Sequence, residues 1–313
     1  MPARRDIIVI GASAGGIEAA RKLVTTLSPG LPAAIFVINH LPTRGMSILP
    51  RILDAAGPLP AKEPEDGEKI ETGRIYVAPP DHHLLLARDH IHITRGPREG
   101  RQRPCINVTF RSAAHAFGSR VIGVVLTGLL DDGTAGLWEI KRRGGLAVVQ
   151  DPADAIAPSM PDSALQQVEI DHCVPVSEMG PLLSRLAGNE TQESLAGQET
   201  NSEPRADRFS GITCPDCRGP LWETPPGRPI EFVCRVKHSY SPKSLLDEHT
   251  AAQERKLYEA IVALEEGADL SEYLAVRVSQ SQRDQLLGEA ELLRQHAGTL
   301  RKLVDERRFS SLD

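Results

Sequence analysis

The sequence predicts an α/β domain with a doubly wound, mostly parallel sheet and helices on both faces. A small zinc-ribbon-like Cys/His module and a C-terminal helical hairpin follow it. Three observations predict this. Between Asp6 and Ala187, short apolar runs alternate with amphipathic stretches of helical period, the pattern of a parallel sheet buried on both sides. The first run leads straight into a small-residue turn, Gly11-Ala12-Ser13-Ala14-Gly15-Gly16, that opens a helical pattern. Beyond about residue 210 the alternation stops, and clustered cysteines and then heptad-like apolar spacing replace it.

Taken in order, Ile7 to Ile10 is the first strand, four consecutive branched apolar residues that suit a pleated, buried surface. Glu18, Ala19, Ala20, Leu23 and Leu27 then follow a helical spacing that stops near Pro29-Gly30. Ala34 to Ile38 is a second strand and Ile75 to Ala78, closed by Pro79-Pro80, a third. Leu84 to Leu86 with Ile91 to Ile93 reads as a hairpin. A helix from about Asn107 to Phe117, a strand from Val121 to Leu126, a helix from Ala135 to Arg143 and a strand from Leu146 to Val149 continue the βα alternation. Gly188 to Ser210 is polar and has almost no large apolar side chain but Leu195, so it reads as a flexible linker. The expected organisation is therefore 1–187 as the α/β domain, 188–210 as linker, 211–241 as the Cys/His module and 242–313 as the helical tail.

Composition excludes several classes. The 313 residues, 40% hydrophobic and 25% charged, suffice for one large domain and a smaller appendage with a sizeable core. A net charge of −6 gives no reason to expect nucleic acid. Nor is a basic region hidden in the total: residues 1–187 carry 20 basic and 20 acidic side chains, and residues 211–313 carry 14 and 17. The longest apolar stretch, around Val121 to Leu126, falls far short of the ~20 residues a membrane helix needs. Ile7 to Ile10 is likewise too short for a secretory signal, so a cytoplasmic protein is expected.

The chemistry lies where strands end. The first strand runs into Ser13, the second into Asn39-His40, and Val121 to Leu126 into Thr127-Gly128-Leu129-Leu130-Asp131-Asp132. In open α/β sheets the carboxyl ends of strands form the binding crevice, so residues distant in sequence meet there. A serine hydroxyl is a weak nucleophile until an imidazole takes its proton, and a carboxylate must hold that imidazole in the right tautomer. Alone, the glycine turn fits a phosphate cradle as well as a nucleophile elbow, although Ser13 stands where a dinucleotide fingerprint wants glycine. Each polar residue also has an ordinary structural role open to it: Ser13 as a helix cap, His40 as a turn residue, Asp131-Asp132-Gly133 as a turn or N-cap. The coincidence of three strand ends favours catalysis.

The same residues carry a family resemblance. Ile10 to Gly16, Asn39-His40-Leu41-Pro42, Glu65-Asp66-Gly67-Glu68, Ala78-Pro79-Pro80-Asp81-His82-His83, Arg103-Pro104 and Leu126-Thr127-Gly128 through Asp132-Gly133 resemble the catalytic domain of chemotaxis protein-glutamate methylesterases, the CheB family. The resemblance spans about residues 5–187, with the motifs in family order. It implies Ser13 as nucleophile, His40 as general base and acid, and Asp132 as the orienting carboxylate. It also implies hydrolysis of glutamate methyl esters on the cytoplasmic helices of methylated chemoreceptors, glutamine deamidation as a related activity, and no catalytic cofactor. Ala14 stands where the family commonly has threonine, and Leu129-Leu130-Asp131 where it has Met-Gly-Asn. With the first strand at Ile7, no fused receiver domain is expected, and control would fall to a separate response regulator or signalling protein. The alternative is a non-catalytic, receptor-associated scaffold with a degenerate crevice.

In the last third, Cys214-Pro215-Asp216-Cys217 is followed by Cys234 and His238 in a C-x2-C-x16-C-x3-H pattern. Three thiolates and an imidazole suit a tetrahedral structural zinc, with a redox pair as the rival for Cys214 and Cys217. Cys105 and Cys173 read as ordinary packed thiols. Leu286, Ala290, Leu293, Ala297, Leu300 and Val304 place one apolar seam on a helix, and Leu257, Ile261 and Leu264 begin another. The turn of this hairpin is expected at Gly267 to Leu270, and self-association through its helices is a further expectation.

Overall fold

The structure, a computed structural model, describes residues 3–40, 47–191 and 208–310. The chain begins with β1 (Ala3–Arg4), β2 (Ile7–Ala12), α1 (Gly16–Thr25), β3 (Ala34–Asn39), α2 (Leu49–Ala56), β4 (Ala61–Lys62) and β5 (Ile75–Val77). Next come the hairpin β6 (His83–Leu86) and β7 (Ile91–Thr94), then α3 (Ile106–Phe117), β8 (Val121–Val125), α4 (Thr134–Arg142) and β9 (Leu146–Gln150). The domain closes with α5 (Ser159–Gln167), β10 (His172–Val174), α6 (Val176–Leu186) and β11 (Glu190–Thr191), which pairs with β1. The Cys/His module is β12 (Arg208–Thr213), β13 (Pro220–Glu223), β14 (Phe232–Cys234) and β15 (Ser239–Tyr240). The long helices α7 (Pro242–Ala275) and α8 (Gln280–Ser310) end the chain.

Seven parallel strands form the central sheet in the order β10-β9-β8-β2-β3-β5-β4. From β2 the chain winds through α1 to β3 on one side, whereas from β8 it winds through α4 to β9 and β10 on the other. The neighbours β2 and β8 therefore flank a topological switch point, where a crevice opens at the carboxyl ends of the strands. Both faces are buried, which is why the strands read as unbroken apolar runs rather than alternating ones. Ile8 and Ile10 of β2 pack with Leu23 and Val24 of α1 and with Leu183 of α6, and Ile7 and Val9 pack on the other face with Phe110 of α3 and Ile140 of α4.

Residues 192–207, most of the expected linker, lie outside the described residues. On either side of them the described chain is in strands, β11 and β12. The chain divides into two compact units, 1–245 and 246–313, so the Cys/His module groups with the α/β domain. In the second unit the expected turn is misplaced. α7 runs through Gly267 to Ala275, and the reversal falls between Ala275 and Gln280. One glycine in a helix costs only about 1 kcal/mol against alanine, and burial of Ile261, Ala268, Ser271 and Ala275 at helical spacing outweighs it. Ile261 packs with Ala297 and Val304 of the α8 seam. Among the described residues no helix is long and apolar enough to cross a membrane.

Candidate active site and Cys/His centre

Three strand ends meet at the switch point. Ser13, after β2, donates its main-chain N–H to the Thr127 carbonyl (3.0 Å), and His40, after β3, donates its own to Ala12 (3.2 Å). His40 Nδ1 lies 3.1 Å from Ser13 Oγ, and Nε2 lies 2.8 Å from Asp132 Oδ2. An ionised carboxylate only accepts, so Nε2 carries the proton and Nδ1 presents its lone pair to the serine hydroxyl. Leu41 and Pro42, the rest of that motif, lie outside the described residues.

Asp132 sits on a helix amino terminus. Its carboxylate accepts the main-chain N–H groups of Ile106 (2.8 Å), Asn107 (3.0 Å) and Gly133 (2.9 Å), and the Cys105 thiol (3.3 Å). Burial would raise its pKa, but the hydrogen bond and charge of His40 and the N–H groups of Asn107 and Ile106 hold it below the ordinary value. Asn107 returns the favour to α4: its Oδ1 accepts Gly133 N–H (3.1 Å) and Gly136 N–H (2.7 Å). Two helix starts thus cap one another around the carboxylate.

The upstream motif supports that helix start. Asp81 accepts Arg103 Nη2 (2.7 Å) and Arg98 Nη2 (3.0 Å), and also pairs with Arg95. Arg95 and Arg103 hold the Asp81 carboxyl well below its ordinary range. His83 Nδ1 accepts the Cys105 N–H (3.3 Å), and its Nε2–H donates to the Pro97 carbonyl (2.9 Å). These bonds pin the segment that delivers Ile106 and Asn107 to Asp132.

The serine loop needs its glycines where space is short. Gly15 has φ +77°, and a Cβ on Gly128 would stand 2.9 Å from Ser13 Cβ. Thr127 ties the loop together, donating Oγ1–H to the Ala14 carbonyl (2.9 Å) and accepting Ala157 N–H (2.8 Å). α1 begins three residues beyond Ser13, and its amino end favours negative charge beside the hydroxyl. Leu130 has φ +63°, a left-handed conformation that suits the glycine the family resemblance leads one to expect there.

Sequence reasoning missed several contributors. Cys105 is not an ordinary packed thiol: it is buried against Asp132, and burial pushes its pKa well above the ordinary value, keeping it a neutral donor. Cys173 is exposed rather than packed. Asn107 carried no signal beyond its place at an element's end, and Thr127 entered only as a letter of the family motif. Their partners are 23 to 114 residues away, and no local period records such contacts.

In the Cys/His module, Cys214, Cys217, Cys234 and His238 each offer one ligand atom, and these atoms lie within 4.8 Å of one another. Cys217 Sγ to Cys234 Sγ is 3.6 Å, as are His238 Nδ1 to Cys214 Sγ and to Cys234 Sγ. Ordinary Zn–S and Zn–N bonds in a tetrahedron give edges of about 3.6–3.8 Å, so these three separations match that ion and the donor set of three thiols and an imidazole suits it. Burial opposes a thiolate at Cys217, yet the Gly219 N–H and its His238 and cysteine neighbours bring its pKa down to about 7.

A serine, imidazole and carboxylate in hydrogen-bonded series, at the carboxyl edge of a parallel sheet, form a site of the serine-hydrolase class. Comparison with known proteins narrows the class. The CheB methylesterase family matches residues 8–183, and the chain belongs to that family. A putative protein-glutamate methylesterase/protein-glutamine glutaminase of Leptospira interrogans is 38% identical over 189 residues, covering 60% of this chain and 98% of that one. Protein-glutamate methylesterase/protein-glutamine glutaminase 2 of Methanosarcina acetivorans is 36% identical over 194 residues, 59% of this chain and 54% of that one. This chain thus spans about half the length of the archaeal relative. The crystal structure of the Thermotoga maritima CheB methylesterase catalytic domain superposes with a TM-score of 0.57 at 31% identity, covering 59% of this chain and all of that one.

Proposed function

We propose that this chain hydrolyses glutamate methyl esters on the cytoplasmic helices of methylated chemoreceptors, releasing methanol, with deamidation of glutamine as a related activity. The observation that carries the reading is the ordered series Ser13 Oγ, His40 Nδ1, His40 Nε2–H and Asp132 Oδ2. Ser13 attacks the ester carbonyl as Nδ1 takes its proton, and the imidazolium formed is stabilised by Asp132. The amino end of α1 beside Ser13 supplies the positive potential for the oxyanion. Nδ1 then returns the proton to the departing methoxide, and water repeats the sequence on the acyl-enzyme. The names of the relatives supply protein glutamate methyl esters and glutamine amides as the substrate classes, and the chemoreceptor is what the family resemblance implies. The continuous proton path speaks against a scaffold with a degenerate crevice.

The Cys/His centre is read as a structural zinc site. Its four protein ligands leave no open coordination position, so a bound ion cross-links the module and takes no part in ester hydrolysis.

The test is direct. The full chain should label with a fluorophosphonate and release methanol from methylated receptor helices, and Ser13→Ala should abolish labelling and lower turnover by about 10⁴ or more. Folded wild-type protein that neither labels nor releases methanol would refute the reading. Elemental analysis should find one zinc per chain, and metal-free folded protein would refute the structural site.

A further inference from the structure

Asp132 is held between two segments, the loop 129–133 after β8 and the segment 99–107 that leads into α3. The Cys/His module and the start of α7 that directly follows it touch both. On the first, Ser241 Oγ–H donates to Asp131 Oδ1 (2.7 Å), and Lys243 Nζ donates to Ser159 Oγ (2.8 Å), which in turn donates to the Leu130 carbonyl (2.9 Å). On the second, Gly100 N–H donates to the Ser239 carbonyl (2.6 Å), and Glu99 bridges to Ser239 in parallel register. Arg111 of α3 pairs with Glu99 and donates to Glu231 of the module (3.1 Å). We infer that the Cys/His module is a clamp across the two segments that position the Asp132 carboxylate, and that Ser241 is a positioning residue for the relay.

His238, one of the four candidate ligands, begins the segment, and Ser239 and Tyr240 follow as β15. Tyr240 is buried and its hydroxyl donates to Asp216 (2.6 Å), between the two knuckle cysteines. Residues 238–240 are therefore fixed by the metal-ligand cluster, and Ser241 is the next residue. Its hydroxyl oxygen accepts Ser244 N–H (3.1 Å), capping α7, while its proton goes to Asp131. Asp131 is only 9% exposed, so its carboxyl has given up most of its water for this partner. Close packing does not fix that side of the loop. A cavity of about 530 Å³ lies beside it, lined by Asp131, Ser159, Asp162, Ile230 and Lys243 among others. With space on that side, the hydrogen bonds set where the loop rests. Loss of the ion would loosen 238–241, and with it both walls of the Asp132 socket.

The proposal rests on the hydrolase reading only for its catalytic consequence, so the test uses two measurements on the full chain. Hydrogen exchange is measured on wild type and on Ser241→Ala, each with zinc bound and after stripping with a chelator. The clamp predicts that stripping, or Ser241→Ala with zinc retained, raises exchange at Ile106, Asn107 and 129–133 while β2 and β3 stay protected. Fluorophosphonate labelling of Ser13 should slow by roughly 10- to 100-fold in both cases, the scale expected for misplacing a catalytic group. Stripping Ser241→Ala should add little further exchange at 129–133, because both changes cut the Ser241–Asp131 connection, while still raising exchange at Ile106 and Asn107 through Ser239, and Ser241→Thr should restore most of the rate. Unchanged exchange in both segments, or effects of stripping and substitution at 129–133 that multiply, would overturn the clamp. If zinc-bound wild type fails to label at all, the hydrolase reading falls, and the exchange measurement still decides the clamp.

Discussion

Asp132 shows how a single buried side chain is held in place for the proposed relay. Its carboxylate faces His40 and at the same time receives the first N–H groups of α3, so it is buried without being left unpaired. Its pKa lies below the ordinary value: burial alone would raise it, but the His40 contact and the N–H groups more than offset that cost. A carboxylate depressed in the folded state contributes stability that is present above its unfolded pKa and lost as pH falls through the folded value. Asp132 should therefore stay ionised throughout the neutral range, and its loss should appear only as part of acid unfolding, followed by circular dichroism below about pH 4. Asp132→Asn tests the orienting role separately. The amide can present its NH2 to Nε2 and favour the wrong tautomer, so labelling of Ser13 and ester turnover should fall by about 10⁴ while the fold persists. A loss under tenfold would show that His40 needs no orienting carboxylate.

At the scale of elements, the loop between β8 and α4 carries a conflict between sequence and backbone. Leu130 is held at φ +63°, where a branched side chain costs about 1–2 kcal/mol relative to right-handed backbone. Glycine there would remove that strain but add about 0.5–1 kcal/mol of unfolded-chain freedom. Leu130→Gly should therefore stabilise the protein slightly, by about 0.5–1 kcal/mol in denaturant titration. A clear destabilisation would mean that Leu130 contributes packing larger than its strain. The mutual capping of α3 and α4 through Asn107 and Asp132 holds the α4 end of this loop, since those bonds come from main-chain donors at helix starts.

The whole chain contains two compact units with separate cores. The α7–α8 hairpin closes on Ile261, Ala297 and Val304, none of which appears in the sheet cores. Charging that seam with Ala297→Asp should melt the hairpin, because a carboxylate would be buried without a partner at a position 2% exposed. Calorimetry should then lose or shift one transition while the other, and the labelling of Ser13, remain. A single transition that shifts as a whole would show that the units unfold together.

The sequence by itself determined the α/β alternation and put Ser13, His40 and the Asp131-Asp132 pair beyond strand ends, because both are written locally, while the choice of Asp132 came from the family resemblance. An apolar run followed by a small or polar residue marks a strand end wherever it occurs. It also singled out Cys214, Cys217, Cys234 and His238 as candidate ligands by their spacing, and the fold brings their ligand atoms within 4.8 Å of one another. It misplaced the hairpin turn at Gly267, since a helix breaker read alone says nothing of the seam that overrides it. What the tertiary structure alone decided is how far-apart segments are joined. The order of the sheet puts β2 beside β8, the α3 terminus under Asp132, Cys105 against that carboxylate, and Ser241 against Asp131. These contacts depend on strand order and on long-range docking, and neither leaves a periodic trace in the residues that make them.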